Sequence, residues 1–389
     1  MSHTHISSGQ GFDFDSVYPR RASASLKWNR YPKEVLPLWV ADMDFRAAPS
    51  ILEALHTRVD QGILGYTQVE NELNEAFCAW AHKRYQADFM PESLVWIPGV
   101  VSGFHLATQT CTQAGEAILI QPPIYPPILA LGGLSGRQTQ SAPLVYDPQQ
   151  GWQFDWQALE DGARAGAKLL IFCHPHNPTG RVFTTKELQQ LGDFCAHWGI
   201  KICSDEIHCD LILDETRTHR PFASLHPYVA DHSITLMAPS KTFNIAGLAC
   251  SVAIIPNPEL RRAFKRQMQG LISDVNVLGL TAAKAAYQTG EPWLEAALTY
   301  LRGNRDYLAT WMEQHPQLQW HCPEATFLAW IDFARLWPQG YPHEDVVAQG
   351  IALSAGVDFG APTWARLNFG CPRALLAQAL QSLDAILPR

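Results

Sequence analysis

The stretch Ile234-Thr235-Leu236-Met237-Ala238-Pro239-Ser240-Lys241-Thr242-Phe243-Asn244-Ile245-Ala246-Gly247-Leu248 sets one lysine between two apolar runs. Burying an unpaired ammonium is costly. Converting the amine into an imine with a bound aldehyde relieves that cost, and a desolvated lysine is a good nucleophile for it. Read alone, Lys241 fits equally well a surface lysine at a strand-to-loop junction.

Two more segments bear on the choice. Lys168-Leu169-Leu170-Ile171-Phe172-Cys173 reads as a strand, and His174-Pro175-His176-Asn177-Pro178-Thr179-Gly180 follows it. Asn-Pro forces the chain out of helix and Thr-Gly closes a turn. Ser204-Asp205-Glu206-Ile207-His208 ends the strand pattern Ile200-Lys201-Ile202-Cys203. An acidic residue there can cap a helix or pair with a cation. Asp205 lies 28 positions after Asn177, and Lys241 lies 36 after Asp205. That order and spacing suit strand ends of one sheet converging on one ligand.

Taken in order, Asn-Pro-Thr-Gly, Asp-Glu-x-His and Ser-Lys-Thr-Phe-Asn-x-x-Gly resemble the fold-type-I pyridoxal-phosphate (PLP) enzymes of the aspartate aminotransferase superfamily. The resemblance runs from Trp39 to Arg366. It implies an α/β fold: a large domain with a mainly parallel seven-stranded sheet flanked by helices, and a smaller α+β C-terminal domain. The expected divisions are an arm at 1–45 that joins the small domain, a large domain at 46–280 and a small domain at 281–389.

The resemblance also implies site roles. PLP needs a lysine, a partner for its ring nitrogen, a donor to its phenolate, a face to stack on and a phosphate cradle. Lys241 is the expected Schiff-base lysine and, once displaced by substrate, the base at Cα. Asp205 is expected on the ring nitrogen and Asn177 on the phenolate oxygen. Tyr125, in Gln121-Pro122-Pro123-Ile124-Tyr125-Pro126-Pro127, is expected to stack on the ring. Gly99-Val100-Val101, between a strand and a helix, is expected to turn backbone amides and a helix N-terminus to the phosphate, with the Ser240 hydroxyl beside them. Tyr66, in Gly65-Tyr66-Thr67, matches a tyrosine that reaches the phosphate of the neighbouring subunit, which implies a homodimer with shared active sites. In Ala365-Arg366-Leu367-Asn368-Phe369, Leu367 and Phe369 share one strand face, so Arg366 points the other way. The resemblance makes its planar guanidinium the clamp for the substrate carboxylate.

Three departures from the aminotransferase pattern carry information. Many relatives have a serine three residues before the lysine and an arginine eight after it, both on the phosphate; Ala238 and Ala249 stand there. A tyrosine commonly follows the aspartate by three; here it is His208. Leu38-Trp39-Val40-Ala41-Asp42-Met43-Asp44-Phe45 resembles a signature of the MalY/PatB-type cystathionine β-lyases, as do Asp-Glu-Ile-His and Ala-Pro-Ser-Lys-Thr-Phe-Asn-Ile-Ala-Gly-Leu. That match places Trp39 and Ala41 among the expected substrate contacts and favours a carbon–sulfur β-lyase over an aminotransferase. A lyase with a second role as a regulatory binding protein is a further alternative. Trp39, Phe12 and Trp364 raise the expectation of room for a bulky leaving group.

Composition narrows the remaining classes. The chain has 389 residues, 47% hydrophobic, with a net charge of −8 and acidic and basic residues interspersed. There is no basic stripe, which argues against nucleic acid, and no apolar run of membrane-spanning length. Met1-Ser2-His3-Thr4-His5-Ile6-Ser7 lacks the charged and apolar regions of a signal peptide. Nine cysteines without a C-x-x-C pair, several in apolar runs, suit small core residues in a reduced cytoplasm. His174 and His176 lack companions at metal spacing and read as loop residues.

Element patterns complete the reading. Strands are expected at Leu94–Ile97, Ala117–Ile120, Ile234–Met237, Ala249–Ile255, Thr326–Phe333 and Ala365–Phe369, and a helix at Val101–Thr112. Thr184-Thr185-Lys186-Glu187 has capping-box form before a helical period ending at Gly199. A helical region is expected from Glu259 to about Met312, broken near Gly290-Glu291-Pro292, and a last helix from Arg373 to Leu387.

Overall fold

The computed structural model describes residues 11–387. The reading of the first seven residues, and the start of the arm, lie outside them. The centre is a seven-stranded sheet: β1 (Leu94–Ile97), β2 (Ala117–Ile120), β3 (Gln138–Ser141), β4 (Ala167–Cys173), β5 (Lys201–Asp205), β6 (Ser233–Met237) and β7 (Ser251–Ile254), in the order β1-β7-β6-β5-β4-β2-β3. Every pairing is parallel except those of β7, which runs antiparallel to β1 and β6.

The strands read as continuous apolar runs because both faces are covered. On one face Ile97, Ile118, Ile171 and Ile234 pack against Phe104 and Leu106 of the helix Val100–Cys111 and Phe264 of Pro258–Met268. On the other, Leu119, Leu170, Phe172 and Ile202 meet Leu159, Leu188, Leu191 and Cys195. The helix Thr185–Trp198 starts with a complete capping box between Thr184 and Glu187 and stops at Gly199 in the left-handed region.

A second sheet orders Gln319–Trp320, Leu328–Asp332, Trp364–Asn368 and Ser354–Ala355, all antiparallel. The arm joins the C-terminal part of the chain in a separate two-stranded sheet: Leu36–Pro37 pairs in parallel with Ile351–Ala352. The arm carries short elements at Arg21–Ser23, Leu26–Asn29 and Leu36–Pro37, and it buries Lys27 completely. Lys27 Nζ donates to Asp44 Oδ2 at 2.7 Å, and Arg20 and Trp28 both donate to Asp44 Oδ1. A buried ammonium survives there because its charge is paired.

The long helical region divides twice. Gly290 separates Val277–Thr289 from Glu291–Glu313 as expected, and a further irregular stretch follows Pro258–Met268. That second break was missed because residues 269–276 hold only one glycine and no proline. Position 280 falls inside Val277–Thr289, which packs on Pro49–Asp60 and Asn71–Tyr85. Among the described residues no helix is long and apolar enough to cross a membrane.

Candidate active site

Three adjacent strands deliver the central residues. Cys173, Asp205 and Leu236 are register partners across β4, β5 and β6. Asp205 ends β5, Asn177 follows β4 by four residues, and Lys241 follows β6 by four in the helical turn Pro239–Thr242. That turn is tied down by Thr242 Oγ1, which donates at 3.0 Å to Asp210 Oδ2. Asp210 Oδ1 takes donors from Tyr85 (2.6 Å), Arg84 (3.0 Å) and Trp80 (3.1 Å).

Arg366 arrives from the second sheet. It is buried, donates from Nη1 to Asn177 Oδ1 at 2.9 Å and from Nη2 to the Trp39 carbonyl at 2.9 Å, and lies 4.8 Å over the Phe359 ring. Its Nε has no partner among the described residues. Lys241 Nζ donates to the Ala41 carbonyl at 2.6 Å. The 39–41 segment therefore touches both cationic side chains.

Burial and the two cations set the electrostatics. Burial, with Arg366 adding to it, lowers Lys241 to about 8, against the opposing pull of Asp42 and Asp205. Asp205 is raised to about 7, chiefly by burial and then by neighbouring Glu206, while the Ile207 amide works the other way. Burial with Lys241 and Arg366 nearby drives His208 down to about 3, so it is a neutral imidazole. Burial brings Arg366 down to about 10, and burial raises the Tyr125 phenol.

The donor set fits pyridoxal phosphate. Asp205 Oδ1 accepts from Ile207 N at 3.2 Å, and Oδ2 has no donor among the described residues. Asn177 Nδ2 likewise has no acceptor there, and the Arg366 donor on Oδ1 fixes which end of the amide is left to donate. His208 Nδ1 is buried without a partner. Gly99 (φ 111°) precedes Val100–Cys111, whose first turn has no side-chain cap, so its amides are available to an anion. Val100 is buried and Val101 exposed. Ser240 lies beside the lysine in the same short turn.

The other expected residues fall as follows. Tyr125 precedes the turn Pro126–Leu129 and is partly buried within the field of Arg366 and Asp205. Tyr66 is fully exposed, in a stretch without regular structure beside exposed Ile63 and Leu64. Trp39 contributes its carbonyl; its indole donates to Lys27 O at 3.1 Å and packs edge-on to Tyr31. Phe12 packs near Phe14, and Trp364 stacks on Trp330, which also packs against Phe359 under Arg366.

His174 and His176 lie in the loop that follows β4 and are buried there. His174 stacks 4.9 Å from His219, whose Nε2 lies 2.8 Å from Glu206 Oε2. Sequence reading missed Asn244, Asn368, Asp42 and Phe359. Asn244 and Asn368 stood within the quoted motifs, and nothing in their spacing distinguished them from ordinary turn and strand residues.

Known proteins resemble this chain in sequence and in fold. The profile of the family "Aminotransferase class I and II" matches residues 33–383. Cystathionine beta-lyase PatB of Bacillus subtilis is 36% identical over 96% of this chain and all of its own. The crystal structure of OvoB is 46% identical, with a TM-score of 0.93 over 97% of this chain and 99% of that one. The PLP-bound C-S lyase of Staphylococcus hominis is 34% identical, with a TM-score of 0.90 over 96% and 98%. With its three strand-end residues, its second-sheet arginine and its 38–45 signature, the chain belongs to the class I and II aminotransferase family, in the MalY/PatB-type branch.

Proposed function

We propose that this chain is a PLP-dependent carbon–sulfur β-lyase that cleaves cystathionine or S-substituted cysteines to a thiol, pyruvate and ammonia. The carrying observation is that Lys241 and Arg366, from different sheets, converge through the 39–41 segment on a site that also holds Asp205 and Asn177. Bound PLP supplies an electron sink for charge developing at Cα.

The chain's own residues do the rest. Arg366 holds the substrate carboxylate, oriented by Asn177 and Phe359. Asp205 keeps the ring nitrogen protonated. Lys241, whose amine is lowered toward neutrality, removes the Cα proton. The Cβ–S bond then breaks with its electron pair on sulfur. Tyr125, kept as a phenol by burial, and Lys241 after it has gained the proton, are the donors to sulfur on this chain. Tyr66 belongs with them as the partner's contribution.

With Ala238 and Ala249 at positions where relatives carry phosphate ligands, the phosphate rests on the amides after Gly99, on Ser240 and on the partner's tyrosine. The dimer, the three-part division at about 45 and 280, and a cytoplasmic setting belong to the same reading. Exposed Tyr66, Ile63 and Leu64 support the dimer, and the net charge of −8 disfavours nucleic acid. The regulatory role finds no specific support in this geometry.

The test is pyruvate and free thiol from PLP-loaded protein given L-cystathionine without a keto acid. Stoichiometric release establishes β-elimination. Amino transfer only when a keto acid is added moves the chain to the aminotransferase reading. Lys241→Ala should abolish turnover and the covalent labelling by PLP that borohydride reduction leaves on the wild type.

A further inference from the structure

The segment from Trp39 to Phe45 presents six carbonyls, five of them held by side chains from the two halves of the site and one by the lysine itself. Trp39 O accepts from Arg366 Nη2 (2.9 Å) and Ser354 Oγ (2.6 Å). Val40 O and Asp42 O both accept from Asn368 Nδ2, at 2.6 and 2.7 Å. Ala41 O accepts from Lys241 Nζ. Met43 O and Phe45 O accept from Asn244 Nδ2 at 2.9 and 2.8 Å, and Met43 N donates back to Asn244 Oδ1 at 2.9 Å.

Asn368 is fully buried, two residues beyond Arg366 on the same strand, and its Oδ1 accepts from Gly370 N. Asn244 lies three residues beyond Lys241, at φ 56°. Each amide thus belongs to one half of the site, and both close on the same short segment.

We propose that residues 39–45 form a strap that registers the carboxylate clamp Arg366 against the base Lys241, with Asn368 and Asn244 as its positioning residues. This rests on the reading of Lys241 and Arg366 given above. The physical reason is hydrogen-bond polarity. A carbonyl can only accept, so Ala41 O takes an N–H of Lys241 and keeps the lone pair of the neutral amine from pointing at the strap. Trp39 O likewise takes one guanidinium N–H; Asn177 Oδ1 and Ser354 Oγ take two more, which leaves Nε–H and the second Nη1–H for a carboxylate. Displacing either carbonyl turns the amine or the fork out of line, and an error near 1 Å at a reacting group costs on the order of 100-fold.

The experiment uses holoenzyme carrying Asn368→Ala, Asn244→Gly or both. Glycine keeps the left-handed backbone at 244 without strain. Three quantities are read: kcat and KM, the calorimetric Kd for 3-(methylthio)propanoate, which has the carboxylate but no amine to react, and hydrogen exchange at the 40–45 amides. Asn368→Ala should raise KM and this Kd by about tenfold, and Asn244→Gly should lower kcat by about tenfold with a smaller change in Kd. The double variant should change less than the product of the singles, because both act through one strap.

If both variants fold and expose the strap amides to exchange, yet Kd and kcat stay within about twofold, the proposal is overturned. Strictly multiplicative effects would also overturn it. If Asn368→Ala does not fold, Asn244→Gly decides alone by its kcat. If wild-type protein releases no pyruvate but Asn368→Ala still weakens the propanoate, the lyase reading fails and the strap stands.

Discussion

Asp205 shows how much the site asks of one residue. Its carboxylate is buried at the end of a parallel strand and held near 7, so in the free protein its charge opposes folding. The folded pKa lies above the unfolded value of 3.8. The residue is therefore neutral and harmless below about 4, and its cost grows as pH rises to about 7 and then levels off. Asp205→Asn should stabilise the cofactor-free protein by about 4 kcal/mol at pH 8 and by little at pH 4. Thermal melts across that range check this, and the same variant should bind PLP at least about tenfold more weakly because the ring nitrogen loses its anion. Arg366 makes the complementary case. Its fork spans Asn177 and Trp39 O at once, which a lysine cannot do. Arg366→Lys should raise KM by about 10- to 100-fold with kcat less affected, since a point charge replaces a bidentate contact. Steady-state kinetics on one substrate decide it.

At the scale of elements, the lysine is placed by what packs behind it. The turn Ala246–Leu248 follows Lys241 and rests against Val277–Thr289, where a Cβ on Gly279 would lie 2.6 Å from Leu248 O and 3.2 Å from Cys250 Cβ. Both contacts are with the chain just downstream of the lysine, and neither can retreat as a flexible side-chain tip could. Gly279→Ala should therefore destabilise the protein by about 1–3 kcal/mol, read as a lower urea midpoint with unchanged slope. The strands β4, β5 and β6 were legible as apolar runs bounded by motif loops. The antiparallel direction of β7 was not, because a buried strand shows the same apolar run whichever way it points.

For the whole molecule, the exposed Tyr66 loop and the PLP site are parts of one hypothesis. If the partner supplies Tyr66, Lys241→Ala and Tyr66→Ala each damage a different chain's share of a site. Mixing the two variants under exchange conditions should restore about a quarter of wild-type activity, because half the dimers are hybrids with one intact site of two. No recovery, with exchange verified by mass, would place Tyr66 in its own chain's site or outside catalysis.

The sequence alone determined which chemistry-bearing residues exist and in what order. Asn177 and Lys241 each follow a β-run by a short loop, Asp205 ends one, and a parallel sheet sends such strand ends to one edge. It also carried the 38–45 signature that marks the branch. Only the tertiary structure decided that the Trp39 indole turns to the arm while its carbonyl serves Arg366, and that two asparagines tie the strap to both halves. Backbone carbonyls are identical in every residue. Which one meets a lysine or an arginine is therefore set by the path of the chain in space.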